Sequence, residues 1–161
     1  MGSTKKPAKK YRPKLKANPL QVVSNNLSPL TADEKTTILV VVHNALNNLV
    51  RGEGTKYFWE VVTGALNTAL VLDEQVFMKA HSGVFDEAMQ AHQECGKRFK
   101  KTGNFGYSGK ELQAVNYAVT VHEAQLDCLT FKELQNALAE VKVRLQNHRV
   151  KYSVFTKEER V

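Results

Sequence analysis

Residues 108–129, SGKELQAVNYAVTVHEAQLDCL, decide the fold class of this chain. Apolar side chains recur there at alternating spacings of three and four residues, which is the period of a helix with one buried face. Ser108 and Glu111 have the spacing of a capping box, in which each side chain accepts a hydrogen bond from the other residue's backbone N–H. The stretch therefore predicts one long amphipathic helix. Its inward face comprises Leu112, Val115, Val119, His122, Leu126 and Leu129.

Two further capping boxes predict helix starts on either side of this stretch. Thr31 with Glu34 opens a helix that Gly52 ends, and Thr130 with Glu133 opens the last helix. Since this last helix begins directly after the long one, we expect a tight turn and antiparallel packing between the two. The inward residues are Ile38, Val42, Ala45 and Leu49 in the earlier helix, and Leu134, Leu138, Val141 and Leu145 in the last.

Two more helices are predicted in the middle of the chain. Thr55 caps the first of these, and Trp59 lies at the edge of its apolar stripe. We expect a break within residues 73–83, followed by a helix over about residues 84–101 that Gly103 stops. The inward residues are Phe58, Val62, Ala65, Leu66 and Ala69 in the former, and Phe85, Ala88, Met89, His92, Cys95 and Phe99 in the latter.

Helical signals recur throughout the chain after its first residues, and no segment shows the strict alternation of a half-buried strand. A short additional helix is predicted over residues 19–25. We therefore predict an all-α protein, a mostly antiparallel bundle of about five helices that forms one domain over residues 19–161.

The positive charge of the chain is concentrated at its start. Residues 1–16 hold seven of the 23 basic residues and no acidic residue, so the remaining 145 residues hold 16 of each sign and account for none of the net charge of +7. Pro7 and Pro13 interrupt any helix there, and repulsion between the lysines favours an extended chain. Residues 1–18 are therefore predicted to be a disordered basic arm.

A basic arm of this kind suits the neutralisation of nucleic-acid phosphates, which positions a protein without reading sequence. A solubilising tail and a segment that orders on a protein partner are the alternatives. The candidate contact residues are Lys5, Lys6, Lys9, Lys10, Tyr11, Arg12, Lys14 and Lys16.

A second basic cluster precedes the glycine-containing loop of residues 103–109. Its cations, with Phe105 and Tyr107 in the loop, could bind a phosphate backbone and stack on a base. The simpler interpretation, which we prefer, is that the cations complement a helix dipole and that Gly103 and Ser108 are helix caps. The cluster comprises Lys97, Arg98, Lys100 and Lys101.

His122 interrupts an otherwise apolar helix face. A core histidine bonded to Asn44, Asn67 or a backbone carbonyl is the preferred interpretation, because an unpaired buried polar group costs about 1–3 kcal/mol. The alternative is that this face opens onto a partner groove, in which case His122 and Asp127 contact a protein partner.

The remaining residues favour no catalytic or metal chemistry. Cys95 and Cys128 are too few for a disulfide-rich protein, and with His92 and His122 they do not form a recognisable zinc motif. The longest aliphatic run, residues 38–42, is too short to cross a bilayer. We therefore expect a cytoplasmic protein that binds no membrane, needs no cofactor and is not an enzyme.

Short, distinctive motifs occur along the chain: Lys10-Tyr11-Arg12-Pro13-Lys14, Asn18-Pro19, Ala65-Leu66-Asn67, Thr102-Gly103, the run His122-Glu123-Ala124-Gln125-Leu126-Asp127 with Thr130, Glu133-Leu134 and Ala137-Leu138. Together they resemble a group of small helical accessory proteins encoded in proteobacterial phages and prophages. The resemblance implies a mobile-element origin, an accessory role in the bacterial host cell and no particular reaction. Combined with the basic arm, this accessory role leads us to predict a binding protein whose arm contacts nucleic acid or a nucleoprotein. The alternative is inhibition of a host defence or regulatory protein through the helical surface.

Overall fold

The computed structural model describes residues 27–147, and these residues form five α-helices and no strand. The all-α prediction is therefore confirmed. The predicted arm over residues 1–18 and the short helix over residues 19–25 lie outside the described residues. The helices are α1 (Ala32–Val50), α2 (Lys56–Gln75), α3 (Ser82–Thr102), α4 (Gly109–Cys128) and α5 (Phe131–Gln146).

The helix ends follow the local hydrogen-bonding rules. All three predicted capping boxes form, at the starts of α1, α4 and α5. Thr55 caps α2 by accepting a hydrogen bond from the backbone N–H of Phe58 at 3.4 Å. Gly103 ends α3 in the left-handed conformation, with φ 78°, which is where glycine costs least. The start of α3 at Ser82 is slightly earlier than predicted and has no side-chain cap.

Helix α2 lies at the centre of the fold, in contact with each of the other four helices. Its Trp59, predicted at the edge of the apolar stripe, is instead only 1% exposed. The prediction was wrong because an indole can be buried completely once its N–H has an acceptor. Here Trp59 Nε1 donates to the backbone carbonyl of His92 at 3.1 Å.

Helix α5 packs against α2 and not back along α4, so the predicted packing of the last two helices was wrong. The two residues between α4 and α5, Leu129 and Thr130, are both extended, and Leu129 is buried. The chain therefore leaves α4 at an angle instead of reversing onto it. Within α5, Leu134 and Val141 are buried as predicted, whereas Leu138 is 50% exposed and Leu145 is 41% exposed.

The break predicted between α2 and α3 is confirmed, and Asp73 organises it. Its buried carboxylate accepts hydrogen bonds from the backbone N–H of His81 at 3.1 and 3.2 Å. Met78 and Lys79, which lie between Asp73 and His81, have positive φ angles of 52° and 62° respectively. None of the helices in residues 27–147 combines the length and the hydropathy that crossing a membrane requires.

Candidate functional site

A groove runs along α5 between that helix, α1 and α2, and we call it the α1–α5 groove. Its central part has a volume of about 420 Å³. Most of its lining side chains are aliphatic, and His122 of α4 lies at its floor. The lining residues are Thr37, Ile38, Val41, Val42, Val61, Gly64, Ala65, Thr68, His122, Leu134, Leu138 and Val141.

The groove continues in both directions along α5. Beyond Val141 it joins a smaller depression of about 160 Å³, which Leu145 and Glu60 help to line. Beyond Leu134 it joins a depression of about 350 Å³ that Asp33 and Glu34 border. The α1–α5 groove is therefore apolar along its length and has carboxylates at both ends.

Three side chains of this groove are large, apolar and exposed. Val41 is 46% exposed, and Leu138 and Leu145 on α5 are exposed to similar extents. Contiguous exposed apolar surface on a folded protein marks an interaction site. The sequence showed that this face of α5 is apolar. It did not show that a groove separates α1 from α5 and leaves Leu138 exposed.

His122 and Asp127, the candidate partner contacts, occupy different environments. His122 is only 3% exposed, and its Nδ1 bonds Gln125 Oε1 at 3.1 Å instead of Asn44 or Asn67. Gln125 in turn donates to the carbonyl of Ala69 at 3.2 Å, and burial lowers the pKa of His122. Asp127 is exposed, and its carboxylate accepts a hydrogen bond from Lys35 Nζ at 2.7 Å. The structure thus places His122 beneath the α1–α5 groove and Asp127 in an ion pair between α4 and α1.

A second polar cluster lies in the core, where the rings of Trp59, His92 and Tyr107 stack in sequence. The ring centroids are 4.7 Å apart for the first pair and 6.0 Å apart for the second. The Tyr107 hydroxyl donates to His92 Nδ1 at 2.6 Å, and His92 Nε2–H donates to the carbonyl of Trp59 at 2.9 Å. Thr63 Oγ1 donates to the same carbonyl at 2.8 Å. A neutral His92 with its proton on Nε2 therefore satisfies every polar atom of this cluster.

The electrostatics of the core cluster disfavour acid–base or nucleophilic chemistry near neutral pH. Burial lowers the pKa of His92 to about 4, although its hydrogen bond to the carbonyl of Trp59 opposes this shift. Burial also raises the pKa of Cys95 to about 11, so the thiol stays protonated. Within residues 27–147, no three His, Cys, Asp or Glu side chains come together as a metal ion would require.

Arg98 and Lys97, in the basic cluster at the end of α3, form ion pairs with carboxylates. Arg98 donates to both carboxylate oxygens of Glu111, at 2.9 and 3.1 Å, and to the carbonyl of Gly106. Lys97 pairs with Glu94 at 2.7 Å. Lys100 and Lys101 lie exposed in the last helical turn, where cations complement the helix dipole.

The loop after α3 turns its aromatic side chains inward. Phe105 is only 5% exposed and stacks on Phe99 with a ring-centroid distance of 4.1 Å. Tyr107 is held by its hydrogen bond to His92. Neither ring is therefore presented for stacking on a base, and Gly103 and Ser108 are helix caps as preferred from the sequence.

Comparisons of this chain with family models, with curated proteins and with solved structures found no match.

Proposed function

We propose that this chain is a non-enzymatic accessory binding protein of the phage type, whose basic N-terminal residues contact nucleic acid or a nucleoprotein. The separation of charge along the chain carries the proposal. Residues 1–16 hold seven basic residues and no acidic one, whereas residues 27–147 hold 12 basic and 14 acidic residues. Residues 27–147, which we call the body, therefore have no net attraction for a polyanion. Residues 148–161 add four basic and two acidic residues, so most of the long-range attraction comes from the first residues.

The ion pairs of the body support the same assignment. Arg98 and Lys97 already have carboxylate partners, and moving either to a phosphate would cost an existing interaction. The protonated Cys95 and the neutral His92 are consistent with a protein that binds without catalysing a reaction.

For the body itself we propose a mostly antiparallel bundle in the cytoplasm of a bacterial host. Consecutive helices from α1 to α4 pack against one another across connections of six residues or fewer, as antiparallel neighbours do.

Two charge-neutralised variants of the full chain test the proposed function. In the first, the seven basic residues of 1–16 are replaced by Gln. In the matched control, Lys97, Lys100 and Lys101 are replaced by Gln, so that charge is lost from the body alone. Fluorescence anisotropy with labelled duplex DNA and with single-stranded RNA should show lost binding for the first variant and near-normal binding for the second. Equal losses in both variants would overturn the assignment, as would unchanged binding in the first.

The α1–α5 groove favours a second candidate function, inhibition of a host defence or regulatory protein through the helical surface. Grooves of this type bind amphipathic helices through regularly spaced apolar side chains. Under this alternative a discrete host protein co-purifies with the chain after nuclease treatment, and Leu138→Asp abolishes the co-purification. Retention of that host protein by the L138D variant would exclude the groove as its binding site.

A further inference from the structure

We propose that residues 148–161 fold back onto the body and occupy the α1–α5 groove, so that a host protein could bind there only by displacing them. The first observation is that no residue between 27 and 147 covers the groove, although Val41, Leu138 and Leu145 are large, apolar and about half exposed. A contiguous exposed apolar surface promotes aggregation unless something binds to it, so we expect another segment to cover this groove.

The second observation is the position and length of this segment. Helix α5 ends at Gln146, directly after Leu145, which lines the near end of the groove. From Leu145 back to Leu134 the groove follows about 17 Å of helix, and the 14 residues of 148–161 span about 21 Å if helical. After a turn of about three residues at the end of α5, the remaining 11 residues would span about 17 Å if helical, which matches the length of the groove.

The third observation is composition. Four large apolar side chains fall within six positions of this segment: Val150, Tyr152, Val154 and Phe155. Aromatic and aliphatic side chains are the anchors that apolar grooves accept. The stretch before Leu30, which approaches the far end of the groove, has no aromatic residue between positions 17 and 26. It is therefore the weaker candidate.

The fourth observation is charge. If the segment runs antiparallel to α5, Arg149 and Lys151 lie near Glu60, and Lys157 and Arg160 lie near Asp33 and Glu34 at the far end. Glu158 and Glu159 oppose part of this attraction at the far end. The covalent connection to α5 makes docking intramolecular, with an effective concentration in the mM range for a short linker. That advantage favours this segment over a second copy of the chain.

Paramagnetic broadening in the full chain tests the proposal. Cys128 is replaced by Ser, Glu159→Cys carries a nitroxide label, and buried Cys95 stays unlabelled. The amide signals of Ile38 and Leu134 at the far end of the groove should be strongly broadened, whereas that of Gly103, in the loop that contacts the opposite end of α1, should not. Unbroadened signals at Ile38 and Leu134 would overturn the proposal.

A matched pair of substitutions in α5 locates the contact. Leu138 and Val143 are similarly exposed, at 50% and 47%, but only Leu138 lines the groove. L138S should abolish the broadening while the helical circular dichroism is retained, and V143S should leave it intact. Equal behaviour of the two variants would contradict docking in the groove.

An isotope-mixing experiment distinguishes this segment from one supplied by a second copy. Labelled chains that carry no nitroxide are mixed with unlabelled chains that do. No broadening is expected in the mixture. Broadening there would show that the segment docks between copies, which would overturn the intramolecular proposal.

Discussion

Protonation of His92 is the perturbation whose effect on stability follows most directly from the structure. Burial lowers the pKa of His92 to about 4, from the ordinary value of 6.5 that the unfolded chain regains. Between these two values the unfolded state binds a proton that the folded state does not. The stability that neutral His92 provides is therefore fully present above pH 6.5 and is lost as the pH falls towards 4.

The size of this effect follows from the shift. A difference of about 2.5 pKa units corresponds to about 3 kcal/mol in total, since one unit is worth about 1.4 kcal/mol. About 2 kcal/mol of this is expected to be lost between pH 7 and pH 5. Burial of His122 acts in the same direction, because it also lowers that residue's pKa.

Urea unfolding at pH 7, 6 and 5, followed by tryptophan fluorescence and circular dichroism, measures the effect. His92→Gln should flatten most of the dependence, because Gln does not titrate. Tyr107→Phe is the matched control: it removes the hydroxyl that donates to His92 Nδ1 and leaves the imidazole in place. It should cost about 1 kcal/mol at pH 7 and keep the dependence. A wild-type stability that is unchanged between pH 7 and pH 5 would refute the reasoning, and so would an equally steep dependence in H92Q.

Three further predictions rest on local geometry. Gly96→Ala places a Cβ about 3.0 Å from the buried tryptophan ring and should cost about 1–3 kcal/mol in urea unfolding. Gly83→Ala, in the first turn of the same helix with nothing within 4 Å of the new Cβ, should instead cause no loss of stability, and a loss there would contradict the open space at that position. A thiol reagent such as Ellman's should modify exposed Cys128 at once and buried Cys95 only on unfolding, so prompt reaction of two thiols would contradict the burial of Cys95. Asp73→Ala should destabilise by about 1–3 kcal/mol, because it removes the buried carboxylate that accepts from the partly buried backbone N–H of His81; thermal melting checks this, and an unchanged melting temperature would contradict that role.

Local signals made the secondary structure predictable. The pairs Ser108 with Glu111 and Thr130 with Glu133 act within one helical turn, so their effect does not depend on the rest of the fold. The same holds for Gly103, whose left-handed conformation is a property of the helix end itself.

Helix packing was less predictable, because periodicity identifies an apolar face without identifying what covers it. Leu134, Leu138, Val141 and Leu145 form one apolar stripe on α5. Leu134 and Val141 are buried, whereas Leu138 and Leu145 are exposed in the open groove. That α5 packs on α2 depends on the backbone direction of two linking residues, which no periodicity records.

The core polar cluster lay beyond sequence reasoning for a similar reason. His92 was assigned correctly to the inward face of its helix, but its partners are distant in sequence. The ring of Trp59 comes from α2, and Tyr107 comes from the loop after α3. Only the fold brings these three rings together.

The salt dependence of polyanion binding tests the central claim most directly. If all seven basic residues of 1–16 engage phosphates, the logarithm of the binding constant on duplex DNA should fall with the logarithm of salt concentration with a slope of about −6. The variant with these residues replaced by Gln should show a slope near zero. A wild-type slope near zero, or an equally steep slope in that variant, would contradict the claim that the first residues carry the binding.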